Sequence, residues 1–152
     1  ALDGEGPFSA ERSGGLPIGD VIRYCFSGKY SEKEIYSMVV GKGGLVAYTG
    51  SNDMRLLTER ANAGDSKIQE LLDAYYFQVA KEIACKSIAL KGEVDQIILT
   101  GGVAYGKEAV TAITELVDWI APVTVYPGEM EMLALAQGAL RVLTEEENAL
   151  EY

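Results

Sequence analysis

From Asp65 onward the apolar residues Ile68, Leu71, Leu72, Tyr75, Tyr76, Val79 and Ile83 recur at steps of three and four, which predicts a long helix with one buried face. The segment after this helix constrains the fold most. Lys91-Gly92 ends the helix, the β-branched run 94–99 predicts a strand, and Thr100-Gly101-Gly102 turns the chain at the strand's carboxyl end. Residues 107–120 predict a second helix, 122–126 a second short strand, and 130–143 a last helix that turns Leu133, Ala136, Ala139 and Leu140 inward. Strands joined through a crossover helix run parallel. The expectation is therefore an α/β protein, helix-rich with a small, mainly parallel sheet.

The first part of the chain is less regular. ALDGEGPFSAERSGG carries Gly4, Gly6, Gly14, Gly15 and Pro7 without an apolar period and reads as loop. Two short helices are expected between positions 16 and 40, one on Ile18, Val21, Ile22 and Cys25, the other on Ile35, Met38 and Val39, with Ser31 and Glu34 as a capping box. The glycines from Gly41 to Gly44 predict a bendable link, 45–48 a short strand or loop, and 53–63 a further helix. The acidic tail of Glu145, Glu146, Glu147 and Glu151 reads as solvated.

Charge and composition narrow the chemistry. A net charge of −10 with no Lys/Arg cluster argues against nucleic acid and against an anionic membrane surface. No stretch approaches the roughly 20 apolar residues of a membrane span, and no signal peptide opens the chain, so a soluble, cytoplasmic protein is expected. Histidine is absent, which excludes Ser-His and Cys-His nucleophilic sites and histidine-bound zinc within this chain. Cys25 and Cys85 lack any CxxC partner and read as packed thiols.

Four segments carry candidate chemistry. The Gly101-Gly102 turn lies where open α/β sheets place ligands, although a tight turn that binds nothing accounts for it equally well. Gly101, Gly106 and Lys107 match the spacing of a phosphate loop, but Glu108 stands where Ser or Thr should come after the lysine. Arg12, in a glycine-flanked loop, is suited to clamp a carboxylate or phosphoryl group, or is an ordinary surface arginine. Asn52 or Asp53 fits a helix cap just before Arg55, and Glu129 and Glu131 fit a helix start or a place beside a divalent cation.

The ordered segments DGEGPFSAERSG, VGKGGLVAYTGSNDMR, DQIILTGGVAYGKE and APVTVYPGEMEMLALAQGAL, which span the chain, resemble the acetate and butyrate kinase family, its butyrate kinase branch most of all. That family sits in the sugar kinase, Hsp70 and actin superfamily. The resemblance implies an RNase H-like, actin-like ATPase fold, two such domains per full protein with the nucleotide between them, and transfer of the ATP γ-phosphoryl group to butyrate. It implies ATP/ADP and Mg2+ as cofactors. By position, Arg12 resembles the arginine at the transferring phosphoryl group. Asp53 and Arg55 resemble the pair bordering the adenosine pocket, Gly101 and Gly102 the glycines beneath the nucleoside, and Glu131, or Glu129 one step off, the acid that helps hold the metal. GGVAYG departs from the Gly-Glu-Asn ending of acetate kinases, which puts nucleotide contacts from Tyr105 and Gly106 in doubt.

The resemblance further implies that residues 1–152 form the C-terminal part of the second domain, without the N-terminal domain and the opening strands. Such a piece has an incomplete sheet with an exposed edge and does not catalyse transfer alone. It is expected to be a truncated chain, a proteolytic fragment, or one ordered piece of a longer molecule, with the N-terminal part as its partner and a homo-oligomer left open. A branched-chain fatty acid kinase and a non-catalytic nucleotide-binding or oligomerisation module are the alternatives.

Overall fold

The structure, a computed structural model, describes residues 3–149. Helices α1 (Ile18–Cys25), α2 (Glu32–Val39), α3 (Gly44–Thr49) and α4 (Met54–Asn62) precede the long α5 (Ser66–Ser87). Then come β1 (Ile97–Gly101), a 3-10 turn (Gly102–Tyr105), α6 (Lys107–Val117), β2 (Val123–Pro127) and α7 (Glu131–Leu143). The two strands pair in parallel, with Ile97 opposite Val123 and Gly101 opposite Pro127, and α6 makes the crossover.

The core forms around α5, whose period presents Ile68, Leu72, Tyr75, Tyr76 and Ala80 inward. Leu57 and Ala61 of α4 and Ala109, Ile113 and Val117 of α6 pack into the same cluster, together with Ile97 of β1. Leu45, Leu57, Leu72 and Val117 are fully buried, each worth about 1.5–3 kcal/mol relative to exposure. Asp65 starts α5 by accepting the Ile68 amide at 3.3 Å. Phe8 brings the opening loop onto this core, its ring 5.7 Å from that of Tyr75.

Ser31 and Glu34 do form a capping box at α2. The glycine stretch behaves otherwise than expected. Gly43 and Gly44 form no bendable link, and 45–48 is neither strand nor loop but lies within α3. The first-turn amides of α3 find acceptors far away in sequence: Leu45 N–H donates to the Ser9 carbonyl at 3.0 Å and Val46 N–H to that of Ala10 at 3.0 Å. Gly44 takes φ +60, and a Cβ there would sit 2.0 Å from the Ser9 carbonyl oxygen.

Two further expectations fail. Helix α7 has no buried residue, and Leu133, Ala136, Ala139 and Leu140 are exposed, because its apolar stripe meets no layer among the described residues. Cys25 and Cys85 are both exposed: Cys25 ends α1, which buries nothing, and Cys85 lies off the inward stripe of α5. In the tail, Glu147 pairs with Arg141 at 2.8 Å, while Glu151 lies outside the described residues. No helix among the described residues is long and apolar enough to cross a membrane.

Candidate functional site

The carboxyl ends of the two strands are joined backbone to backbone. Gly101 adopts φ +83 and ψ −174, a region that side chains other than glycine avoid. Its N–H donates to the Gly128 carbonyl at 3.2 Å, and the Gly128 N–H donates back at 3.1 Å. Gly102 then opens the 3-10 turn, which faces α4 across a cleft of about 430 Å³. Arg55, Gly102, Tyr105 and Glu108 all line that cleft. The phosphate-loop spacing closes on itself instead, since the Gly106 N–H is committed to the Val103 carbonyl at 3.0 Å.

Asp53 starts α4 by accepting the amides of Arg55 at 2.9 Å and Leu56 at 3.2 Å. This sets Arg55 in the first helical turn, exposed and without an ion pair among the described residues. At the other end of α4, Asn62 Nδ2 donates to Glu108 Oε1 at 3.3 Å, tying α4 to the first turn of α6. Tyr76 of α5 lines the same cleft, and its buried hydroxyl, with Thr58 beside it, makes no hydrogen bond of normal geometry among the described residues. Burial is the main force raising the pKa of that hydroxyl, and the neighbouring Thr58 opposes it. Thr58 uses its own proton on the Met54 carbonyl at 2.8 Å.

The Arg12 loop is held by backbone. Ser9 N–H donates to the Arg12 carbonyl at 2.9 Å, and Arg12 N–H donates to Ser9 Oγ at 3.1 Å. The Glu11 carbonyl accepts the amides of Gly41 at 2.9 Å and Gly43 at 3.1 Å. The Glu11 carboxylate accepts Asn52 Nδ2 at 2.5 Å, which links this loop to the one before α4. The Arg12 guanidinium is exposed, with no hydrogen bond or ion pair among the described residues. Arg12 and Asn52 line a cleft of about 410 Å³ that shares Met54 and Val103 with the first. Arg12 thus lines one of two adjoining clefts and Arg55 and Gly102 the other, and the two together make up the candidate groove.

Neither Glu129 nor Glu131 lines that groove; both are exposed, and Glu131 begins α7 just after the strand-end glycine Gly128. No group of three metal-ligating side chains occurs among the described residues. Magnesium commonly binds through one or two carboxylates completed by phosphate oxygens and water, and the exposed pair fits that partial role. Sequence reasoning misses Glu11, Asn52 and Asn62. Asn52 is legible only as a cap candidate, and the other two carry no signal apart from their partners. A separate cavity of about 570 Å³ between α1, α2, α3 and α5 is mostly apolar and holds none of the predicted site residues.

The sequence profile described as the Acetokinase family matches residues 5–149. The chain belongs to the acetokinase family. This acetokinase-family chain is 53% identical over 152 residues to a probable butyrate kinase of Clostridium botulinum, covering 100% of the chain and 43% of that protein. It is 54% identical over 151 residues to butyrate kinase 1 of Clostridium acetobutylicum, covering 99% of the chain and 42% of that protein. The chain therefore spans less than half the length of these curated relatives. Its fold is that of the acetate kinases: it matches Entamoeba histolytica acetate kinase with a TM-score of 0.77 at 17% identity, over 90% of this chain and 43% of that one. Porphyromonas gingivalis acetate kinase matches with a TM-score of 0.74 at 20% identity, over 91% and 41%.

Proposed function

We propose that this chain is the C-terminal part of the second RNase H-like domain of a butyrate kinase, a cytoplasmic enzyme that phosphorylates butyrate with ATP, and that it carries the adenosine side of the cleft. The observation behind this reading is the groove itself, with Arg12, unpaired among the described residues, at one end and Arg55 beside the Gly102 turn further along. In the reaction a butyrate oxygen attacks the γ-phosphorus while the bond to the β–γ bridging oxygen breaks, giving butyryl phosphate and ADP. Charge on the equatorial phosphoryl oxygens is what a positioned guanidinium stabilises, and Arg12 takes that role. Asp53 and Arg55 border the nucleoside, with Gly101 and Gly102 letting it approach bare backbone. Glu131, or Glu129 beside it, would contribute a carboxylate to Mg2+, which neutralises phosphate charge when bound. The N-terminal part of the longer protein supplies the remaining phosphate and acid contacts.

An acyl-hydroxamate assay with ATP, Mg2+ and butyrate tests this, run on the chain alone and on the chain joined to the N-terminal part of a curated butyrate kinase relative. Product from the joined protein only, abolished by Arg12→Ala, is the expected result. A folded joined protein that binds ATP yet makes no butyryl phosphate would instead identify a non-catalytic nucleotide-binding module.

A further inference from the structure

Resting on the reading of Arg12 as the arginine at the transferring phosphoryl group, we propose that Asn52 is a positioning residue for Arg12, acting through its hydrogen bond to the Glu11 carboxylate. Arg23, Arg60 and Arg141 are each held by a carboxylate. The Arg12 guanidinium makes no hydrogen bond or ion pair among the described residues, so its placement depends on where the main chain aims it. The residue beside it is fixed at both ends. The Glu11 carbonyl accepts the Gly41 and Gly43 amides, and the Glu11 carboxylate accepts Asn52 Nδ2 at 2.5 Å.

The other ties of residues 9–13 lead toward α2 and α3. The carbonyls of Ser9 and Ala10 accept amides of α3, and the Ser13 N–H donates to the Val39 carbonyl at 3.0 Å. Among the described residues, the Glu11 to Asn52 bond is the one that carries this loop to the segment before α4. That segment is braced by its own side chains at alternate positions. The Ser51 N–H donates to Thr49 Oγ1 at 3.1 Å, the Asp53 N–H to Ser51 Oγ at 3.1 Å, and the Arg55 N–H to Asp53 Oδ1 at 2.9 Å. Asn52 takes no part in this relay and reaches across to Glu11, so its amide is presented from a fixed backbone. Glu11, Arg12 and Asn52 line one cleft. A hydrogen bond to a carboxylate is stronger than a neutral one, and a clamping guanidinium loses rate steeply when it is displaced.

Butyryl phosphate formation by the joined protein tests the assignment, with urea midpoints to establish that each variant is folded. Asn52→Asp sets two carboxylates against each other and should lower kcat by about tenfold, with KM for ATP changed by less than about twofold. Glu11→Gln combined with Asn52→Asp reverses the bond at the same shape and net charge, and should return kcat to within about threefold of wild type. In the Arg12→Lys background, Asn52→Asp should lower kcat by no more than about threefold, because an ammonium has no planar fork to misplace. A merely structural contact would lower transfer by the same factor with arginine or lysine at position 12. Wild-type transfer by Asn52→Asp, no recovery in the reversed pair, or equal losses in the two backgrounds overturns the assignment and leaves the butyrate kinase reading standing. A folded joined protein that makes no butyryl phosphate overturns that reading and the assignment with it.

Discussion

Gly44 joins the fold to the candidate catalytic loop, and replacing it tests how. In Gly44→Ala the new Cβ would lie 2.0 Å from the Ser9 carbonyl oxygen and 2.6 Å from that of Arg12, far inside contact distance. Both obstacles are backbone, so residues 9–12 must move. An alanine held at φ +60 costs about 1–2 kcal/mol in conformation, and forced overpacking costs about 1–3 kcal/mol more, together roughly 2–5 kcal/mol. In a chain of this size each kcal/mol shifts the midpoint by about 2–4 °C, so Tm should fall by about 4–20 °C. Gly28 supplies a matched control: its φ is +68, yet a Cβ there would meet nothing within 4 Å. Gly28→Ala carries the conformational cost alone. Urea unfolding of both variants then isolates the overlap as their difference, with Gly44→Ala expected to lose more by at least about 1 kcal/mol. Equal losses would refute the argument that the glycine is required by close approach of the Arg12 loop.

Three other outcomes are expected from the local geometry. Asp53→Ala should lose about 1 kcal/mol by urea unfolding as α4 loses its cap, while Asp53→Asn keeps stability; if the carboxylate also meets the nucleotide, Asp53→Asn should weaken ADP binding in titration. Asp65 is held below the usual carboxylate range, first by the Arg60 hydrogen bond at 2.7 Å and then by the Ile68 amide. A depressed folded pKa adds stability that is fully present above the ordinary carboxylate value of about 4 and disappears as pH falls through the lower folded value, so the penalty of Arg60→Ala in urea midpoints should vanish on the acid side. Tyr76→Phe removes a buried hydroxyl that has no partner of normal geometry among the described residues and should raise stability by about 1 kcal/mol; a loss in calorimetry would mean that Thr58 satisfies it.

The sequence is most legible where structure is local and periodic. Helix α5 declares itself because one stripe of seven apolar residues meets one core, and β1, α6 and β2 are announced by a β-branched run, a glycine turn and a crossover. Helix α3 is hidden because its amides are satisfied by carbonyls of residues 9 and 10, which no local pattern announces. The apolar stripe of α7 reveals the helix but not its exposure, since periodicity reports what could be covered and not what covers it. Arg12, Asp53, Arg55 and Gly102 stand out through family resemblance. Physics alone gives Asp53 a cap and leaves Arg12 an ordinary arginine. The bonds Glu11 to Asn52 and Asn62 to Glu108 join residues 41 and 46 positions apart, beyond the reach of any motif.

The surroundings of Arg12 divide its needs between backbone and side chain. The backbone amides of Ser9, Arg12, Ser13, Gly41, Gly43, Leu45 and Val46, and the Glu11 to Asn52 contact, hold the loop, while the guanidinium makes no hydrogen bond or ion pair among the described residues. Positioning of the main chain is therefore complete before any ligand arrives. What remains is the ordering of one long side chain, about 2 kcal/mol of rotamer entropy, which paired hydrogen bonds to a phosphoryl group readily offset. The division predicts a clean separation in Arg12→Lys. Its stability should match wild type in urea unfolding, because no bond that holds the loop involves the Arg12 side chain. Its phosphoryl transfer in the joined protein should fall by roughly tenfold or more, because an ammonium lacks the planar fork that addresses two oxygens together. Transfer at the wild-type rate would show that charge alone suffices, and a loss of stability would show that the guanidinium supports the fold.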